Sequence, residues 1–319
     1  MKLKQIYFLM ALGIMLLSAC SKEEGELEPS GIPVGYTVPQ GSHDFDTTIV
    51  NYFNRFKSYL LYDFTEKDAY WTPTAWKNGY PSTDDQNGRA GMEVTMPDLD
   101  YIAPQLDLLD KAWFSLYPDN FLKEFLPRLI LLCDDVRYYN INYWVWPWTY
   151  DASSIYAISN YQNICVSYAN ADVENMTAAD TLAFASAVNN AFLSSMINRD
   201  KLEPTDEFIS SANYTNAKSL YTNSASWAYG IFQPYYEASA TNDWENFVRM
   251  MIVCSEDYLN REVSYVNDYD FGSGAWEGLF TSLKDTNGLL KQRYTIVRNY
   301  FIDNYGFDLQ EVGNRVGAQ

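Results

Sequence analysis

A chain of 319 residues, 47% hydrophobic and 17% aromatic, is long enough to bury one large core or two closely joined ones. Its 22 basic residues against 41 acidic ones leave a net charge of −19, which disfavours nucleic acid, where affinity rests on neutralising phosphates with Lys and Arg. The single histidine, His43, excludes within this chain any site that needs two imidazoles.

The first twenty residues read as a targeting segment. Lys2 and Lys4 precede an apolar run from Ile6 to Leu17, and Leu17-Ser18-Ala19-Cys20 follows as a small-residue cleavage site. A site of this kind ending in Cys resembles a bacterial lipobox, which implies removal of residues 1–19 and acylation of Cys20. The apolar run is short for a membrane span. Residues 20–40, opening Ser21-Lys22-Glu23-Glu24-Gly25-Glu26 and carrying Pro29 and Pro33, read as a disordered acidic tether. The tether also resembles the acidic export signal of lipoproteins that face the cell exterior. Residues 41–319 are expected to form a single domain.

His43 sits in the polar entry to a helix expected over Asp44–Tyr62, with Ile49, Tyr52, Phe53, Phe56, Tyr59 and Leu60 on one side. Residues 63–97 are punctuated by Pro and Gly. A second helix is expected over Asp98–Tyr117. Arg128–Cys133, Tyr156–Ser159 and Ile164–Tyr168 read as short strands. Thr177 and Asp180, three apart, form a capping box opening a helix to Asn198. Asn242 or Asp243 is expected to cap the next helix, whose Trp244, Phe247, Val248, Met251 and Ile252 share a face. A helical tail runs from Trp276 to Asn304, interrupted near Asn287-Gly288. Gly306 stops it, and a last short helix docks before Val316.

Several groups carry potential chemistry. Tyr143-Trp144-Val145-Trp146-Pro147-Trp148 would, if extended, put Trp144, Trp146 and Trp148 on one face by the period of two. Such a row is either a platform for sugar rings or peptide side chains, or a lid packed on helices; Pro147 argues against a central strand. Asp84-Asp85, Asp134-Asp135 and Asp268/Asp270 are acid pairs of the kind a glycosidase needs across its scissile bond, though acid pairs are common in so acidic a chain. Cys133, Cys165 and Cys254 each lie among apolar residues and read as buried free thiols; one disulfide among them would leave one thiol over. Glu245 and Arg249 stand four apart, an i,i+4 ion pair or a carboxylate projecting into a cleft.

The order of elements carries a resemblance. A lipobox precedes a first helix ending in Tyr62-Asp-Phe-Thr-Glu-Lys-Asp-Ala-Tyr-Trp71. A strand pair then leads to a helix, a Gly230-x-x-x-Pro234-Tyr235 loop, an acidic aromatic helix, and a tail from Tyr294 to Leu309. This resembles the zinc-binding metallopeptidase lipoproteins, zincin-like proteins associated with outer-membrane substrate import. The likeness is loose over 44–316 and clearest over 227–258 and 288–312. In that family the helix before the Pro-Tyr loop carries His-Glu-x-x-His, whose imidazoles hold zinc while its Glu acts as general base. Val188-Asn189-Asn190-Ala191-Phe192 stands at that place in this chain. A further acidic ligand corresponds to Glu245, and Arg249 replaces an acid.

The resemblance therefore implies a zincin-like α+β fold, helix-rich with a small mixed sheet, and zinc chemistry that has been lost: no catalytic residue, no metal ligand set, no cofactor. The implied protein is a surface-exposed outer-membrane lipoprotein, a binding accessory to a TonB-dependent importer and its surface lipoprotein. Its peptide or glycan ligand would lie against Asn189, Asn190, Tyr235, Tyr236 and Glu245, with Trp144, Trp146 and Trp148 as a further aromatic surface. The alternatives are a carboxylate-based, glycosidase-like hydrolase, which needs two acids converging in a cleft, and a scaffold subunit with an exposed aromatic patch.

Overall fold

Three apolar runs, YLL, LILL and NICV, line up as adjacent parallel strands, and the latter two are buried along their whole length. A strand covered on both faces has no polar side to present, so it reads as a continuous apolar run. The computed structural model describes residues 35–69, 91–146, 149–215 and 217–317. In chain order these form α1 (Asp46–Phe56), β1 (Tyr59–Leu61), α2 (Glu66–Ala69), β2 (Gly91–Val94), α3 (Ile102–Ala112), α4 (Asp119–Phe125), β3 (Leu129–Leu132), β4 (Val136–Asn142) and β5 (Thr149–Ile155). There follow β6 (Ala157–Ser159), β7 (Asn163–Val166), α5 (Ala178–Asn198), α6 (Asp206–Ser210), α7 (Asn223–Trp227), α8 (Ala240–Val253), α9 (Glu256–Asn260), α10 (Leu289–Tyr305) and α11 (Gln310–Val316). The expected signal segment, Cys20, residues 20–34 of the tether, Asp84-Asp85 and Trp148 lie outside the described residues. Val38 begins one compact unit that holds all these elements.

The fold is α+β, helix-rich, with a small mixed sheet. That sheet has the order β1-β3-β7-β6, its first three strands parallel and β6 antiparallel at the edge. A second sheet, β2-β4-β5, is antiparallel, and its β4–β5 hairpin pairs from Val136↔Ile155 to Asn142↔Thr149. The two sheets meet at Ser167, whose hydroxyl donates to the Ile155 carbonyl at 2.6 Å and accepts from the Val136 amide at 2.9 Å. The chain passes from β5 to β6 through Tyr156 alone, so one extended segment serves as an edge of both sheets.

Helix α5 opens on the expected capping box, Thr177 and Asp180 satisfying each other's backbone amides. Its 21 residues run about 31 Å. The second half is buried nearly all round, because β6, β7, α3, α8 and α11 all pack on it. Helix α8 buries the expected face, but its cap is Ser239, which accepts from the Asn242 amide. The side chain of Gln105 on α3 donates to the carbonyls of Cys133, Val166 and Ser167, so one amide stitches the ends of β3 and β7. Cys133, Cys165 and Cys254 are buried free thiols.

Three expected elements differ. The first helix stops at Phe56, because Lys57 turns left-handed (φ 63°) and Tyr59-Leu60 enter β1. Residues 277–288 are turns rather than helix. There the Lys284 ammonium donates to the carbonyls of Ala275 and Glu277, and Asp285 accepts from the amides of Leu290 and Lys291 at the start of α10. Tyr143 to Trp146 form the turn of the β4–β5 hairpin, so Trp144 and Trp146 do not share a strand face. Among the described residues no helix is long and apolar enough to cross a membrane.

Helix α11 lies backbone to backbone on the C-terminal end of α8. A Cβ at Gly313 would collide with the carbonyls of Cys254 and Met251, and one at Gly317 with the backbone of Val253 and Cys254. Gly313→Ala is expected to destabilise the fold by about 1–3 kcal/mol or more, read as a lower urea midpoint. An unchanged midpoint would show that α11 can lift away without cost.

Candidate functional site

The segment Val188–Phe192 lies in the buried half of α5. Val188 and Phe192, one turn apart, are both fully buried, and Phe192 packs its ring 5.4 Å from those of Trp113 and Tyr117. Asn189 is also at 0% exposure. Its Oδ1 accepts from the Tyr117 hydroxyl at 2.8 Å, and its amide donates to the carbonyls of Ala112 and Ala185. Every polar atom of the side chain is engaged, so Asn189 fastens α5 to α3 and is not available to a ligand, contrary to expectation. Asn190 is half-buried, and its amide donates back to the Ser186 carbonyl.

Glu245 and Arg249 are both half-buried on α8. Burial pushes the Glu245 carboxyl above its ordinary range, Arg249 pulls it down, and Asp200 pushes it up. Tyr235 and Tyr236 lie in the segment before α8. With Tyr221 they form an aromatic cluster on the loop before α8, ring centroids 4.8 and 3.8 Å apart, and Tyr236 is exposed. Tyr235 holds a left-handed backbone (φ 62°), a conformation costly for a non-glycine residue. Of the expected ligand-binding residues, Asn189 is sealed in the core, while Tyr236 is exposed.

The charge that matters in this region is Asp243. It is fully buried, accepts from the amides of Phe232 and Gln233 and from the Tyr214 hydroxyl, and lies 3.5 Å from the Arg293 guanidinium. Arg293, 1% exposed, stacks 4.0 Å from the Phe208 ring and donates to the Tyr214 hydroxyl. Desolvation outweighs these partners and pushes the Asp243 carboxyl from 3.8 up to about 6.

An open cleft of about 530 Å³ lies where the two sheets join. Asp134, Asp135 and Arg137 line it from the start of β4, Ser154 and Tyr156 from the β5–β6 passage, and Tyr168, Asn170 and Asp172 from the segment after β7. Asp135 accepts from Arg137 Nε and the Ser154 hydroxyl, and Asp134 Oδ1 accepts from the Asn170 amide. Tyr156 and Tyr168 stack at 5.7 Å and 14°, and both stand edge-on to Phe184 of α5. Burial and the neighbouring Tyr156 push the Tyr168 hydroxyl up to about 12. Of the other acid pairs, Asp268 caps the start of α7 through the Ser224 amide, and Asp270 turns back on the Gly272 amide. Sequence reasoning marked Asp134-Asp135 but not the cleft, since its walls come from three separated segments. A second, polar groove of about 620 Å³ runs between α6 and α10.

Among the described residues, the hairpin tip exposes several large apolar side chains. Trp144 is 97% exposed, Trp146 70% and Tyr143 65%. Side chains so placed do not serve as a lid on the helices.

The family described as "putative zinc-binding metallo-peptidase" matches residues 54–310, well over half of the chain. The chain belongs to that family. A crystal structure described in the same words, from Bacteroides caccae, is similar over 86% of this chain and 94% of its own, at 11% identity and a TM-score of 0.41. No curated protein sequence matches. The family is described as zinc-binding, and the side chains at positions 188–192, where the resemblance sets the zinc motif, do not fit that metal. Two are buried hydrocarbons without a donor atom, Asn189 is an amide with its atoms spent, and zinc is held by imidazole, thiolate or carboxylate. Among the described residues no three His, Cys, Asp or Glu side chains gather as a metal site.

Asp243 gives a pH signature. A carboxyl whose folded value lies above its unfolded one favours folding most below about pH 3.8, and that contribution is lost as pH rises through about 6. Relative to Asp243→Asn, the natural protein is expected to lose on the order of 3 kcal/mol across that window in chemical denaturation. A gain of stability with rising pH would mean that Arg293 outweighs desolvation.

Proposed function

We propose that this chain is a non-catalytic member of its family: a surface-exposed lipoprotein, anchored to the outer membrane through Cys20, that binds a peptide or glycan for a TonB-dependent importer and its surface lipoprotein. The observation that carries the loss of catalysis is the fate of Val188, Asn189 and Phe192. A metallopeptidase needs zinc ligands and a general base aimed at open space. These three side chains are sealed between α5, α3 and the aromatic rings of Trp113 and Tyr117. Glu245 alone supplies one ligand, beside a guanidinium that repels a cation. The cleft at the sheet junction and the exposed hairpin tip support a binding role. The anchor and its orientation rest on the sequence from Lys2 to Glu28.

Metal analysis with zinc titration, beside Glu245→Ala, tests the loss of catalysis. The protein is expected to be zinc-free, with a flat titration in both forms. One tightly held zinc that Glu245→Ala abolishes would overturn the reading. For the anchor, Cys20→Ala is expected to move the protein from the membrane to the soluble fraction; retention in the membrane would sink lipidation at Cys20.

A further inference from the structure

We infer that the cleft at the junction of the two sheets is a binding site for a neutral oligosaccharide, seated on the Tyr156–Tyr168 pair and held through its hydroxyls by Asp134, Asp135, Asp172 and Arg137. The inference rests on the binding role proposed above and names its ligand class and its place.

The platform comes first. Tyr156 and Tyr168 are half-buried and nearly parallel, and Phe184 of α5 meets both rings edge-on at 6.1 and 5.9 Å. A pair so backed keeps its geometry before any ligand arrives, which lowers the cost of ordering on binding. Aromatic faces favour the apolar C–H face of a sugar ring, and the tyrosine hydroxyls add polar tips at the edge.

The polar rim decides the charge of the ligand. Three carboxylates and one guanidinium line the cleft, and Arg137 is already engaged by Asp135. An anionic ligand meets three like charges against one paired cation. A cationic ligand gains from the excess of carboxylates but leaves the aromatic pair unused, which is why a basic peptide is the competing arm of the test. A neutral ligand rich in donors meets no like charge and uses both the carboxylates and the aromatic faces. Asp134 spends only Oδ1 on Asn170, and Asp135 spends only Oδ2 on Arg137 and Ser154, so each keeps one oxygen as an acceptor. The exposed Asp172 adds a carboxylate at the rim. Adjacent sugar hydroxyls present paired donors, and hydrogen bonds to carboxylates are worth more than neutral ones. Arg137 supplies a donor for a ring or hydroxyl oxygen. The volume, about 530 Å³, lies within the range of small-ligand sites.

The experiment is saturation-transfer NMR and calorimetry of the purified protein with a panel of neutral gluco-, manno-, xylo- and galacto-oligosaccharides. A Lys/Arg-rich peptide and an acidic oligosaccharide run as separate arms. At least one neutral oligosaccharide is expected to bind, with affinity lowered tenfold or more in Asp134→Asn, Asp172→Asn and Tyr156→Ala. The Asp172 variant, altered at an exposed position, keeps the test readable should either of the others fold poorly. Binding that ignores all three substitutions overturns the site and leaves the binding role standing. Binding of the basic peptide alone, lost in Asp172→Asn, overturns the ligand class but not the role. Turnover of an oligosaccharide, lost in Asp134→Asn, overturns the non-catalytic reading while keeping the site. Binding to none of the three arms overturns the inference itself.

Discussion

The carboxylate of Asp243 accepts from the backbone of the Phe232–Gln233 loop and from Tyr214, and faces Arg293, so three further segments converge on one buried charge. The arrangement is costly. Taking both charges out of water is unfavourable, and Nε and Nη1 of Arg293 find no hydrogen-bond partner among the described residues. Stacking on Phe208 recovers part of that cost. What the arrangement secures is placement. The loop before α8, α8 itself and α10 satisfy the same carboxylate only in one relative position, as in buried polar networks that fix a unique core.

Helix α5 packs on that scaffold and turns Val188 and Phe192 fully inward. Fully burying a Val or Phe side chain is worth roughly 1.5–3 kcal/mol, whereas a polar zinc-binding side chain at the same place must remain exposed and oriented. A chain that carries no catalysis, as proposed, is free to gain stability at such positions. Asn189 contributes in another form, through polar contacts. Its amide links α5 to α3 by internal hydrogen bonds.

Much of the fold was legible from pattern. The capping box at Thr177, the apolar face of α8, the LILL strand and the Gly306 stop are local signals with local causes, and each was realised. The errors came where tertiary structure overrides periodicity. The first helix yields Tyr59 and Leu60 to β1 because the strand pairs with β3, a partner some 70 residues on. The cleft depends on Ser167 bringing two sheets together, which no window of sequence contains. Asp243 was read as a helix cap. The clue to its real role was Arg293, a charge lying among Leu290, Tyr294 and Val297 on a buried face, since such a charge needs an opposite partner.

The hairpin tip has a colloidal consequence. From Ile141 to Tyr150 the sequence holds no charged residue, in a chain where charged residues make up 20%. A stretch without charge has no repulsion of its own against a second copy, and exposed apolar side chains favour association. The restraint comes from the −19 charge of the rest of the chain, acting over a Debye length of about 8 Å at physiological salt and about 3 Å at 1 M. Whatever keeps one tip from another is therefore a property of the body lent to the tip, and it weakens as ionic strength rises.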